Sequence, residues 1–129
     1  MANILLFEVN NPKEVSVGDD LTAGTHIDSC CLIIVRFINE SIMAQHCQSK
    51  YIDNFKISIN EIVKEAVAIT AHEDEDSTQM VKELRDKINT QHFSYYAYKE
   101  FNNAKPVVKI LSEGFEISPV NDYHLVDLS

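Results

Sequence analysis

Residues 71 to 78, AHEDEDST, set one histidine beside four consecutive acids and form the densest group of chemistry-bearing side chains in the protein. His72 with Glu73, Asp74, Glu75 and Asp76 offers borderline and hard metal ligands at short range. The spacing argues otherwise. A calcium-binding loop alternates its ligands and needs a glycine at its sharp turn, and a zinc site needs His or Cys pairs at fixed separations. Consecutive acids at a helix end diverge, so no metal and no cofactor is expected. Helix electrostatics gives a plainer account, because acids in a first helical turn stabilise it by about 0.3 to 1 kcal/mol each. Asp76 with Gln79 three residues on reads as a capping-box-like start, with Asp74 and Glu75 in the turn before it. The same acids are compatible with docking a basic surface.

The other reactive residue types form no catalytic pattern. Cys30-Cys31 and His46-Cys47 match neither a Cys-x-x-Cys nor a His-x-x-x-His spacing and sit among apolar neighbours, so buried thiols are expected. There is no Gly-x-Ser-x-Gly elbow, and three scattered glycines cannot cradle a phosphate. No catalytic residue is assigned and no enzyme activity is expected. Tyr95, Tyr96 and Tyr98 supply a residue type enriched at protein interfaces. Packing against a core accounts for Phe93, Tyr95 and Phe101, which leaves Tyr96 and Tyr98 as the interface candidates.

Charge narrows the partner. Eleven basic against twenty acidic side chains give a formal charge of −9, which repels phosphate backbones and anionic lipid and attracts basic proteins. Nucleic acid and membrane are therefore not expected partners. From residue 60 onward there are 13 acids against 7 bases, while residues 1 to 59 hold 7 against 4, so the excess leans to the second half. The odd cysteine count is no disulfide framework, MANILLFEVNN does not read as a signal peptide, and the longest apolar run, Cys30 to Val35, is too short to span a bilayer. A reducing cytoplasm is the expected compartment.

The elements that must position these residues are read from periodicity and punctuation. With 129 residues and 45% hydrophobic content, a single globular domain over 1–129 is expected. All glycines and prolines lie outside residues 25 to 105, which favours helices joined by polar turns in the middle. Asn60 as N-cap, with Ile62, Val63, Ala66 and Ile69 on one face, predicts a helix through the 60s. Met80, Val81, Leu84 and Ile88 predict a second, supported by Lys82–Asp86 and Glu83–Lys87 at i,i+4 spacing. CCLIIVRFI is apolar all round and suits a buried strand or a helix. The absence of a breaker, with Ile42, Met43, His46 and Cys47 at helical spacing, favours one helix from Asp28 or Ser29 to about residue 50. Short strands are predicted at Ile4 to Val9, Glu14 to Val17, Pro106 to Leu111, Phe115 to Ile117 and Tyr123 to Val126. FSYYAYKEF and PVVKIL are predicted to form a hairpin. The expected fold class is α+β: two to three central helices packed on a small, mainly antiparallel sheet.

In general character, small, single-domain, acidic and without catalytic motifs, the chain is similar to immunity proteins and antitoxins that neutralise basic nuclease toxins. The expectation is an acidic protein-binding inhibitor that occludes a toxin's active or substrate-binding surface. Glu73, Asp74, Glu75, Asp76, Glu83, Asp86, Glu100, Glu113 and Glu116 would meet basic side chains, with Tyr96 and Tyr98 as anchors. A small secretion chaperone or adaptor is the alternative, and a small enzyme or ligand-binding domain a further one.

Overall fold

CCLIIVRF is apolar all round because it is a central strand covered on both faces. The computed structural model describes residues 3–5, 11–22, 30–48, 52–100 and 105–128. Its strands are β1 (Asn3–Leu5), β2 (Lys13–Val15), β3 (Asp20–Thr22), β4 (Cys30–Phe37), β5 (Ile42–Gln48), β6 (Val63–Thr70), β7 (Phe93–Tyr98), β8 (Val107–Ile110), β9 (Phe115–Ser118) and β10 (Tyr123–Val126); α1 spans Glu75–Ile88. Six strands form a mixed sheet in the order β10-β7-β6-β4-β5-β2. Its neighbours are antiparallel except β6 and β7, which are parallel and joined by α1 as the crossover. In the second sheet β3, β8 and β9 are antiparallel, and β1 adds to the edge of β3 in parallel.

Alternation of side chains along the strands assigns the faces. Cys31, Ile33, Val35 and Phe37 of β4, with Ala66 and Ala68 of β6 and Tyr95 and Ala97 of β7, pack against Met80, Val81, Leu84 and Ile88 of α1. Leu32 and Ile34, with Val67 and Ile69, pack on Leu21, Val108, Ile110 and Ile117 of the smaller sheet. The result is a helix, a large sheet and a small sheet in three layers. The helix layer is completed by Phe55 and Ile57. Their segment is held on β5 by Gln45, whose amide nitrogen donates to Asn54 O at 2.6 Å and whose oxygen accepts from Lys56 N at 2.8 Å.

The expected α+β class with two to three central helices is therefore corrected: among the described residues the fold is mainly β, with one α-helix, two sheets and 45% strand. The helix expected in the 60s is strand β6. Residues 66–71 are all buried, so burial on both sides replaced the alternation that marks a half-buried strand, and Ile62, Val63, Ala66 and Ile69 fell at helical spacing by coincidence. The helix expected from residue 28 to 50 is the β4–β5 hairpin; its proposed caps, Asp28 and Ser29, lie outside the described residues. The reversal needs no glycine. Glu40 takes the left-handed conformation at φ 72°, Glu40 N donates to Phe37 O at 2.9 Å, and Phe37 N donates to Ser41 O at 2.9 Å. This is the three-residue hairpin loop with a bulge at its third position. Asn39 Oδ1 supports it by accepting from Ser41 N at 2.9 Å.

The expected hairpin of residues 93–101 with 106–111 is also corrected. β7 pairs with β6 and β10, whereas β8 pairs with β3 and β9 in the other sheet. The second helix agrees with its predicted stripe, and Tyr123–Val126 coincides with its predicted strand. Lys13–Val15, Val107–Ile110 and Phe115–Ser118 lie within a residue or two of theirs. Asn3–Leu5 overlaps the first expected strand, of which residues 6–9 lie outside the described set.

One charged side chain interrupts the two-sided core. Arg36 points from β4 toward the small sheet with 0% side-chain exposure. Its Nη2 donates to Leu111 O at 2.6 Å and its Nη1 to Ser112 O at 2.8 Å. Nη1 also lies 3.2 Å from Glu65 Oε2, which accepts from Gly114 N at 3.2 Å. The guanidinium carbon stands 5.2 Å from the Phe115 ring centre. The ion pair thus grips the β8–β9 turn against the large sheet. Breaking such a pair leaves a buried charge uncompensated. Arg36→Met is expected to lower unfolding free energy by about 3 to 5 kcal/mol in urea denaturation. Adding Glu65→Leu should recover part of that loss, so additive single effects would contradict the coupling.

Candidate functional site

The acid run lies where β6 leaves the sheet and α1 begins. β6 ends at Thr70 and α1 starts at Glu75, so residues 71–74 carry the chain from sheet to helix layer. Asp74 is the N-cap, in extended conformation, with its Oδ1 accepting from Ser77 N at 2.7 Å. The helix therefore begins two residues before the predicted cap at Asp76, because Asp74 and Ser77 have the Asp-x-x-Ser spacing that closes the first turn. Glu75 and Asp76 occupy that turn, where the helix dipole favours acid, and both are exposed. Glu73 is fixed laterally, its Oε2 lying 2.9 Å from His124 Nε2 on β10.

A buried hydroxyl pair supports this end from below. Thr70 Oγ1 and Tyr95 Oη are 2.6 Å apart, and Thr70 Oγ1 donates to His72 O at 2.9 Å. Tyr95 Oη also approaches His72 O at 3.4 Å. The His72 carbonyl is thereby satisfied by the hydroxyl pair. Burial pushes the Tyr95 phenol up to about 12, partly offset by its hydrogen bond to Thr70. Burial also pushes Tyr123 up, with Tyr98 and Asp122 adding to the effect.

The remaining expected contact residues do not converge on this end. Glu83 and Asp86 lie on the exposed face of α1, where Arg85 Nε stands 3.4 Å from Asp86 Oδ1. Tyr96 and Tyr98 are on the opposite face of the large sheet, half-buried against the cluster between the sheets. The Tyr98 ring packs on Tyr123 at 5.3 Å between centres. Glu116 shares a cavity of about 210 Å³ with Tyr96, Phe115, Val120 and Tyr123. Glu100 is exposed just beyond β7. Glu113 is exposed in the β8–β9 turn, which Arg36 and Glu65 hold at the other end of β6 from the acid run. The structure thus brings together Glu73, Asp74, Glu75 and Asp76, with Glu83 and Asp86 on the same helix. It separates these from Tyr96, Tyr98, Glu113 and Glu116.

Cys31 and Cys47 are buried thiols, as their apolar neighbours suggested. Among the described residues, no three His, Cys, Asp or Glu side chains are grouped to hold a metal ion, and no helix is long and apolar enough to cross a membrane. Sequence reasoning missed the Arg36–Glu65 pair. Its only signal was one arginine inside an otherwise apolar run. No protein-family model, curated protein or solved structure matches this chain.

Two measurements check the helix start. Asp74→Ala is expected to cost about 1 kcal/mol of stability, as for other N-cap losses, while Asp76→Ala should cost less; the reverse order would move the cap back to Asp76. Because the Tyr95 pKa is raised on folding, its contribution is fully present below the unfolded value of 10.0 and is lost as pH rises toward about 12. Urea midpoints should fall over that window in the wild type and fall less steeply in Tyr95→Phe.

Proposed function

We propose that the chain is an acidic inhibitor that binds a basic protein and covers its active or substrate-binding surface, as immunity proteins and antitoxins cover nuclease toxins. The observation that supports this most directly is the end of α1, where four successive acids are presented on a preset backbone. Asp74 is committed to the cap and Glu73 is braced by His124, which orders the run without covering it. A preordered charged surface loses little conformational entropy on docking. With a formal charge of −9 behind it, the surface steers a cationic partner over distances of about a Debye length, roughly 8 Å at physiological ionic strength.

Glu75, Asp76 and Glu83 carry the electrostatic contact in this reading. Tyr96 and Tyr98 serve mainly as packing, since their rings are engaged between the sheets. Electrostatic contacts of this kind act on association rate and specificity.

The test is affinity capture from the native lysate at low salt, followed by titration of the captured protein against wild type and the triple variant Glu75→Gln, Asp76→Asn, Glu83→Gln. That variant spares the cap and the Glu73–His124 contact. A single basic protein, inhibited on binding and released by salt, is expected, with about tenfold weaker association for the variant. Salt-independent binding, unchanged association in the variant, or retention of activity by the bound partner would contradict the proposal.

A further inference from the structure

The register of the large sheet sets Cys31 on β4 directly opposite Cys47 on β5. Both side chains belong to the cluster on the helix side of the sheet and are thiols in this structure. The pairing type follows from the hairpin loop. Phe37 N donates to Ser41 O at 2.9 Å, so that pair closes the ladder, and the register then runs without a shift to Cys30 and Gln48. Hydrogen-bonded pairs alternate with non-hydrogen-bonded ones, which places Cys31 and Cys47 in a hydrogen-bonded pair. Such pairs have Cα atoms about 5.5 Å apart, inside the roughly 4.4 to 6.8 Å range that a disulfide spans. Cys30, the neighbour in sequence, is in register with Gln48.

We infer that Cys31 and Cys47 are a redox modification site, joined by a reversible cross-strand disulfide when the chain meets an oxidising low-molecular-weight disulfide such as oxidised glutathione. The thiolate of one cysteine attacks a sulfur of the small disulfide, forming a mixed disulfide and expelling one glutathione thiolate. The second protein thiolate attacks the protein sulfur of that intermediate and expels the other glutathione. The two protein thiols lose two electrons and two protons, and the small disulfide gains them as two thiols.

Access and consequence both follow from the sheet. The two thiols are 1% and 0% exposed, so exchange proceeds through opening of the sheet edge and is slow. Among the described residues β2 pairs with β5 from Ile42 to Ala44, so the Cys47 end of β5 lies beyond that described pairing and is where opening is placed. Cys31 is also in register with Thr70 on β6, whose hydroxyl meets Tyr95 and the His72 carbonyl. A bridge that draws Cys31 toward β5 is thus felt where α1 begins.

The experiment incubates the folded full chain in a mainly oxidised glutathione buffer, alkylates the remaining thiols after denaturation, and maps the bridges by mass spectrometry. A parallel sample is oxidised in urea. The folded chain is expected to lose two hydrogens at Cys31 and Cys47, about tenfold in excess over any bridge to Cys30, with reversal by dithiothreitol. The unfolded chain should give Cys30 and Cys31 bridges to Cys47 in comparable amounts. Cys30→Ser should oxidise like the wild type, and Cys31→Ala, checked for a cooperative thermal transition, should not form the bridge. Folded protein that keeps both thiols alkylatable, or that bridges Cys30 as readily as Cys31, would overturn the inference.

Discussion

A guanidinium buried in the middle of a sheet is the constraint on which the layering depends. Arg36 cannot be solvated where it sits, and an unpaired charge there would cost several kcal/mol. Its partners are drawn from both sheets: Glu65 on the neighbouring strand, and the Leu111 and Ser112 carbonyls of the β8–β9 turn. Because Glu65 also accepts from Gly114 N, the same charges that satisfy each other fix the turn. Apolar contact between Ile34, Val67 and Ile110 supplies the driving force for stacking the sheets. That contact is not directional, so the ion pair and its carbonyl acceptors set the placement of β8 and β9 on the larger sheet.

The same stacking explains what could be read from the sequence. α1 was legible because one face of it meets solvent, which leaves the 3.6-residue stripe of Met80, Val81, Leu84 and Ile88 visible. β10 and β8 were legible for the corresponding reason at a period of two. β4 and β6 were not, since strands covered by a helix layer on one side and a sheet on the other carry apolar residues on both faces along most of their length. The missing punctuation misled further. Glu40 makes the β4–β5 turn at positive φ, a conformation usually given to glycine or asparagine, so a hairpin resembled an unbroken helix. Long-range pairing of β7 with β6 across the α1 crossover left no local signal at all, and proximity in sequence pointed instead to β8.

The candidate site was partly legible. The acid run was correctly tied to a helix start, and only the identity of the cap shifted, from Asp76 to Asp74. Exposure of the tyrosines was not, because alternation along β7 says which residues share a face but not whether a second sheet covers it. That second sheet depends on residues far away in the chain, and it is the reason Tyr96 and Tyr98 pack inward. What stays on the surface is an acid-rich end of the helix, capped and braced by groups on four elements, and the proposed docking role rests on its charge.

Cooperation between the two sheets through Arg36 is the central structural claim, and native-state amide hydrogen exchange tests it most directly. If the ion pair locks the small sheet to the large one, the paired amides of β8 and β9, and Gly114 N–H, should exchange with the same opening free energy as those of β4 and β6, as one cooperative unit. Exchange of β8 and β9 by a separate, lower-energy opening, with β4 and β6 still protected, would contradict it.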